Sequence, residues 1–170
     1  MDDDWYPQEQ PAMPTRPDHF PATGPNSLGR FPARAGARVI DSLIIGVPAL
    51  MAGATALVLT GQSETATVFP RWASALWFVM AVTYETVMVA RWGQTVGKMA
   101  MGLKVGRIDN GRRPEWSQAA IRIALPAVSA GLPLQWAMVI YVTFYSTSAW
   151  NVMRRGVHDK AAGTIVVSTR

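Results

Sequence analysis

The chain has 170 residues, of which 49% are apolar, with no cysteine, two histidines and a formal net charge of +5. That apolar fraction, with a mean hydropathy of +0.12, exceeds what a soluble domain of this size needs and points to one small integral membrane domain. Disulfides, thiolate metal sites and S-palmitoylation are excluded by the lack of cysteine, and His19 and His158 cannot build a His-rich metal centre. Charge is unevenly spread: residues 1–29 carry a net −4 and the remainder +9. Those Lys and Arg lie beside apolar spans, where the positive-inside rule accounts for them without a nucleic-acid partner.

Residues 1–33 are polar, acidic and rich in proline (Pro7, Pro11, Pro14, Pro17, Pro21, Pro25, Pro32), and are expected to form a disordered cytoplasmic tail. They lack the basic start and early apolar run of a cleaved signal, so the first span should serve as its own signal. That span runs over about 39–60, with Pro48 expected to bend it. Arg30, Arg34 and Arg38 precede it and no Lys or Arg follows in 61–67, which places the N-terminus in the cytoplasm. A second span covers about 72–90, with Trp72, Trp77 and Trp92 as interfacial anchors. The connection 91–116 is basic and hence cytoplasmic. Within it Leu103 to Ile108 alternates apolar and polar side chains before an Asp109-Asn110-Gly111 turn. A β-branched run, Thr164 to Val167, is positioned to pair with it as a small two-stranded element.

The last apolar region is too long for one straight helix and is broken by Pro126 and Gly131-Leu132-Pro133. A fold-back at the Gly-Pro break returns Arg154, Arg155 and Lys160 to the cytoplasm, giving a short or re-entrant arm at 117–130 and a span at 133–150, followed by a tail at 151–170. The expected architecture is therefore an all-α membrane domain at 34–170, with three to four hydrophobic helices and a small cytoplasmic β-element.

Charged residues inside membrane spans are expensive and usually have partners. Arg38 and Asp41 share a helix face at i and i+3 and can pair with each other. Glu85 lies at a similar depth on the second span and is the stronger partner for Arg38, because an unpaired acid in lipid would have to stay neutral. Gly93-Gln94-Thr95-Val96-Gly97-Lys98-Met99 imitates a phosphate loop but has one residue too few between its glycines and Met99 where Ser or Thr would bind magnesium. Close backbone approach at the glycines, with Lys98 meeting lipid headgroups, is the simpler expectation. His158-Asp159-Lys160 lacks a nucleophile and oxyanion donors, so no enzyme activity is expected. Asp159 should instead dock beneath the helices against Arg91, Lys98 or Arg122.

Taken jointly, these pieces resemble the RDD family of small bacterial membrane proteins, named for an arginine and two aspartates. The matching residues are Arg38 and Asp41, Tyr84-Glu85, Gly93, Gln94, Thr95, Gly97 and Lys98, Arg122, and His158, Asp159 and Lys160. The resemblance implies a multi-pass protein of the bacterial cell membrane, with Arg38 as the arginine and Asp41 and Asp159 as the aspartates. It implies no cofactor and gives address more firmly than activity. Two functions are open: transport of a small solute or cation/proton exchange through an Arg38, Asp41 and Glu85 site, in a homo-oligomer or larger membrane complex; or a structural or accessory subunit that binds another membrane protein or anionic lipid, with the charges as helix clamps.

Overall fold

The computed structural model describes residues 16–61, 71–127 and 134–170. The first half of the acidic tail, the polar loop at 62–70 and the Gly131-Leu132-Pro133 break lie outside the described residues. Among the described residues the fold is mostly helical, with six α-helices and one two-stranded antiparallel sheet.

Helix α1 spans Phe31–Thr60. It begins earlier than the apolar run suggested because Pro32 is preset for a first helical turn, and no breaker separates it from Val39. It ends at Gly61, whose φ of 63° is the left-handed conformation that terminates helices. Pro48 stays inside it. The stretch Phe31–Ala56, with hydropathy 1.7, is long and apolar enough to cross a membrane, and only 22% of that window is buried. A soluble core helix would be mostly covered. Here Val39, Leu43, Val47 and Leu50, at helical spacing, are exposed.

Helix α2 spans Arg71–Trp92 and packs beside α1; a short α3 at Val96–Ala100 then crosses back onto α1. Strand β1 (Leu103–Arg107) leads through the Asp109-Asn110-Gly111 turn to α4 (Trp116–Ala127), which lies on α2. Helix α5 (Leu134–Trp150), a short α6 (Val157–Ala161) and β2 (Thr164–Ser168) complete the chain. The strands pair in the expected way, from Leu103 opposite Ser168 to Arg107 opposite Thr164.

The sheet is covered on both faces. Leu103, Val105 and Val166 pack with Ala37, Val89 and Ala119 from the helices. On the other face Ile165 and Val167 meet Phe20 and Leu28. This second cluster corrects the expectation of a disordered tail through residue 33. Ser168 N–H donates to Ser27 O at 2.8 Å, Gly29 N–H donates to Val166 O at 3.0 Å, and Leu28 bridges Val167. The edge of β2 thus acquires backbone partners, and two apolar side chains of the leader stabilise the arrangement.

Candidate functional site

Three buried acids, one each from α1, α2 and α6, organise the region where the helices meet the sheet. Asp41 accepts three hydrogen bonds: from Tyr84 Oη at 2.8 Å, Thr95 Oγ1 at 2.6 Å and the Gly97 amide at 2.8 Å. Tyr84 Oη in turn accepts from Val96 N at 3.0 Å, and Thr95 caps α3 by accepting from Lys98 N. The chain can come this close only because position 97 is glycine. A Cβ there would sit 2.1 Å from Ala37 O and 2.9 Å from Asp41 Oδ1. The close approach expected of the glycines is therefore realised at Gly97.

Glu85 holds the second centre. Arg38 donates to both its oxygens, at 2.6 and 3.1 Å, Lys98 Nζ lies 3.3 Å from Oε1, and Arg122 Nε lies 4.0 Å away. This two-pronged guanidinium–carboxylate contact is the geometry that best compensates burial of both charges. Arg38 thus pairs with Glu85, and Asp41 on its own helix takes uncharged donors. Lys98 does not reach lipid headgroups as expected. Its side chain is 8% exposed, because α3 seats it between Glu85 and Thr95.

Asp159 forms the third centre. Arg34 Nη1 donates to its Oδ2 at 2.9 Å, and Arg122 Nη1 lies 2.8 Å from Oδ1 while donating to Thr164 Oγ1. The Gly156 amide also donates to Oδ2, fixing the start of α6. Of the three cations proposed for Asp159, Arg122 is the one it meets; Arg91 lies exposed on α2, and Lys98 belongs to Glu85.

Burial alone would raise the Asp159 pKa, but Arg122, His158 and Arg34 hold it well below the usual carboxylate range. Burial is also the main reason His158 falls to about 4, with Asp159 opposing and Arg122 and Arg38 adding to the depression, so its imidazole is neutral near pH 7. Lys98 is lowered to about 8, chiefly by burial, with Glu85 pulling the other way.

The remaining motif residues are structural. Gly93 adopts φ 67° and its carbonyl accepts from Val105 N at 2.7 Å, while Gln94 Nε2 donates to Leu103 O at 2.9 Å. Together they tie the end of α2 to β1. Lys160 is exposed, and its amide donates to Gly156 O. Sequence reasoning missed Arg34 and Thr164 as site residues. Arg30, Arg34 and Arg38 recur every four residues on one helix face, a signal absorbed into the topology argument as positive flank. Among the described residues there is no cluster of three or more His, Asp or Glu able to hold a metal ion.

The chain matches the RDD family over residues 28–163. The chain belongs to the RDD family. This RDD protein is also 30% identical, over 89 residues, to the uncharacterized membrane protein YteJ of Bacillus subtilis (strain 168). The aligned part is 52% of this chain and 49% of the relative, so the chain spans about half the length of the curated relative it matches. No solved structure matches. The family places the protein in a membrane. Of the residues expected to carry the family name, Arg38 pairs with Glu85, and Arg34 and Arg122 are arginines that meet Asp159.

Proposed function

We propose that this RDD protein is a multi-pass, non-enzymatic membrane subunit whose buried ions clamp its helices to a cytoplasmic cap, and that it acts as a structural or accessory component bound to other membrane constituents. One observation carries this: all three buried acids are engaged. Asp41 has three donors, Glu85 has Arg38 and Lys98, and Asp159 has Arg34 and Arg122. Cation or proton exchange requires a carboxylate that can release its partner, and freeing any of these would leave an uncompensated buried charge, costing about 3–5 kcal/mol.

The multi-pass topology is supported by where the ends lie. The start of α1, the end of α2, the start of α4 and the end of α5 all gather at the sheet, through Arg38–Glu85, Arg107–Glu115 and the Val157 amide on Thr147. Such a gathering fits antiparallel spans and a fold-back of α4 and α5. At 1.5 Å per residue α4 is only about 18 Å long, short for a full crossing. The basic residues at this end favour the cytoplasmic side.

Transport of a small solute is the second reading, favoured by a cavity beside Arg34, Arg38, Lys98 and Arg122. Two measurements separate them. Arg38→Ala should lower membrane abundance and thermal stability if the ions are clamps. Proteoliposome flux assays with Asp41→Asn and Glu85→Gln complement this: selective flux that wild type supports and both variants lose, at normal abundance, would overturn the clamp.

A further inference from the structure

The cavity beside the clamps measures about 230 Å³, room for several water-sized groups. Arg34, Arg38, Lys98 and Arg122 line it together with Phe31, Ala35 and Val142. Among the described residues the charges around it do not cancel: four cations meet three carboxylates, Asp41, Glu85 and Asp159, and His158 is neutral near pH 7. Arg154, which donates to Leu28 O near the start of α1, and Arg155, which donates to the Asp159 carbonyl, add to the positive side. An excess charge of one sign in a water-poor interior is costly unless a counter-charge joins it.

Arg122 marks where compensation is poorest. Its side chain is 3% exposed and lines the cavity, yet its Nε–H has no acceptor among the described residues, Glu85 Oε1 standing at 4.0 Å. A buried guanidinium N–H of this kind is a donor available to an incoming anion. The apolar part of the lining indicates the rest of the ligand. Phe31 on α1 and Val142 on α5 are exposed, as are Val39 and Leu43 further along α1. A free inorganic anion has no use for such a wall, whereas an acyl chain does.

We propose that this cavity binds the phosphate head of one anionic phospholipid, with Arg122, Arg34 and Arg38 as its donors and the acyl chains leaving along the outer faces of α1 and α5. The inference rests on the membrane-clamp reading, since the cations of the clamps are also those facing the head.

The test uses the full chain in zwitterionic phosphatidylcholine micelles, titrated with phosphatidylglycerol or with sodium phosphate and followed by native mass spectrometry and thermal shift. Arg122→Gln removes the donor but risks the fold. Ser146→Phe therefore serves as the second variant: Ser146 lines the cavity and bonds only locally, to Thr143 O at 3.1 Å, so the change fills the space and removes no charge. The expected result is one phosphatidylglycerol per protein, not displaced by millimolar phosphate and bound roughly tenfold more weakly by Ser146→Phe, a difference of about 1.4 kcal/mol. Equal binding by Ser146→Phe, or equal retention of phosphatidylcholine, would overturn the proposal. Displacement by inorganic phosphate would also overturn it, reassigning the site to a free anion. The clamp reading is tested separately, by Arg38→Ala in phosphatidylcholine alone, so the two failures are distinguishable.

Discussion

Replacing Gly97 with alanine adds one methyl group at the tightest contact between α3 and α1. The new Cβ would stand 2.1 Å from Ala37 O and 2.9 Å from both Asp41 Cγ and Oδ1, and the first of these is backbone that cannot swing aside. Relief requires α3 to lift, which lengthens the hydrogen bond from the Gly97 amide to Asp41 and draws Thr95 and Lys98 away with it. Overpacking of this kind costs about 1–3 kcal/mol. Weakening one hydrogen bond to a charged acceptor adds about 1.5–3 kcal/mol. The preference of a helix for alanine over glycine returns about 0.5–1 kcal/mol. The net is a destabilisation of roughly 1.5–5.5 kcal/mol, which for a domain of this size lowers Tm by roughly 3–20 °C. Thermal unfolding in mild detergent, followed by tryptophan fluorescence or by the monodisperse peak on size exclusion, measures it. Gly46→Ala is the internal control: nothing lies within 4 Å of its Cβ, so Tm should stay level or rise slightly. A Gly97→Ala protein that melts within about 2 °C of wild type would refute the seating of α3 on α1 and the Asp41 centre built upon it.

Three further outcomes are expected. In a double-mutant cycle, Arg38→Met and Glu85→Met should each cost about 3–5 kcal/mol, and the double variant less than their sum; strict additivity would deny the pair. His158 is held at about 4 when folded against 6.5 for the ordinary imidazole, so between these values the unfolded chain binds the extra proton. Stability should therefore fall as pH drops from about 6.5 to 4, by on the order of 3 kcal/mol, with His158→Gln flattening the slope in that window; an unchanged slope would contradict a neutral buried imidazole. The loss due to Asp159, whose folded pKa is depressed, comes lower, below the ordinary carboxylate range. Leu28→Ala should destabilise by about 2–4 kcal/mol, measured by chemical or thermal unfolding, because Leu28 is buried against Ile165 and Val167; a loss under about 0.5 kcal/mol would mean that the leader does not hold the sheet.

Much of the architecture was written in local pattern. Leu103 to Arg107 alternates and Thr164 to Val167 is β-branched, and they pair as expected. The apolar span inside α1, the Arg38–Glu85 contact and the close approach at Gly97 were likewise anticipated from spacing and composition. What misled was composition applied over too long a window. Residues 20–33 share proline and polar residues with the segment before them, yet Phe20 and Leu28 find a covered face on β2 that the sequence, taken locally, does not advertise. Lys98 followed the same course. A lysine beside an apolar span ordinarily reaches for headgroups, but the α3 turn capped by Thr95 directs it inward to Glu85.

The sequence by itself determined the membrane address, the helical class, the strand pair and the choice of Glu85 as partner for Arg38, since all of these follow from hydropathy, periodicity and the cost of burying charge. Only the tertiary structure decided who neutralises whom. Arg34 meets Asp159 across 125 positions of chain and Arg122 reaches Thr164 across 42, separations at which spacing carries no information. Partner choice among buried ions is settled by which helices pack together and how closely a glycine lets them approach, and that is a property of the assembled fold.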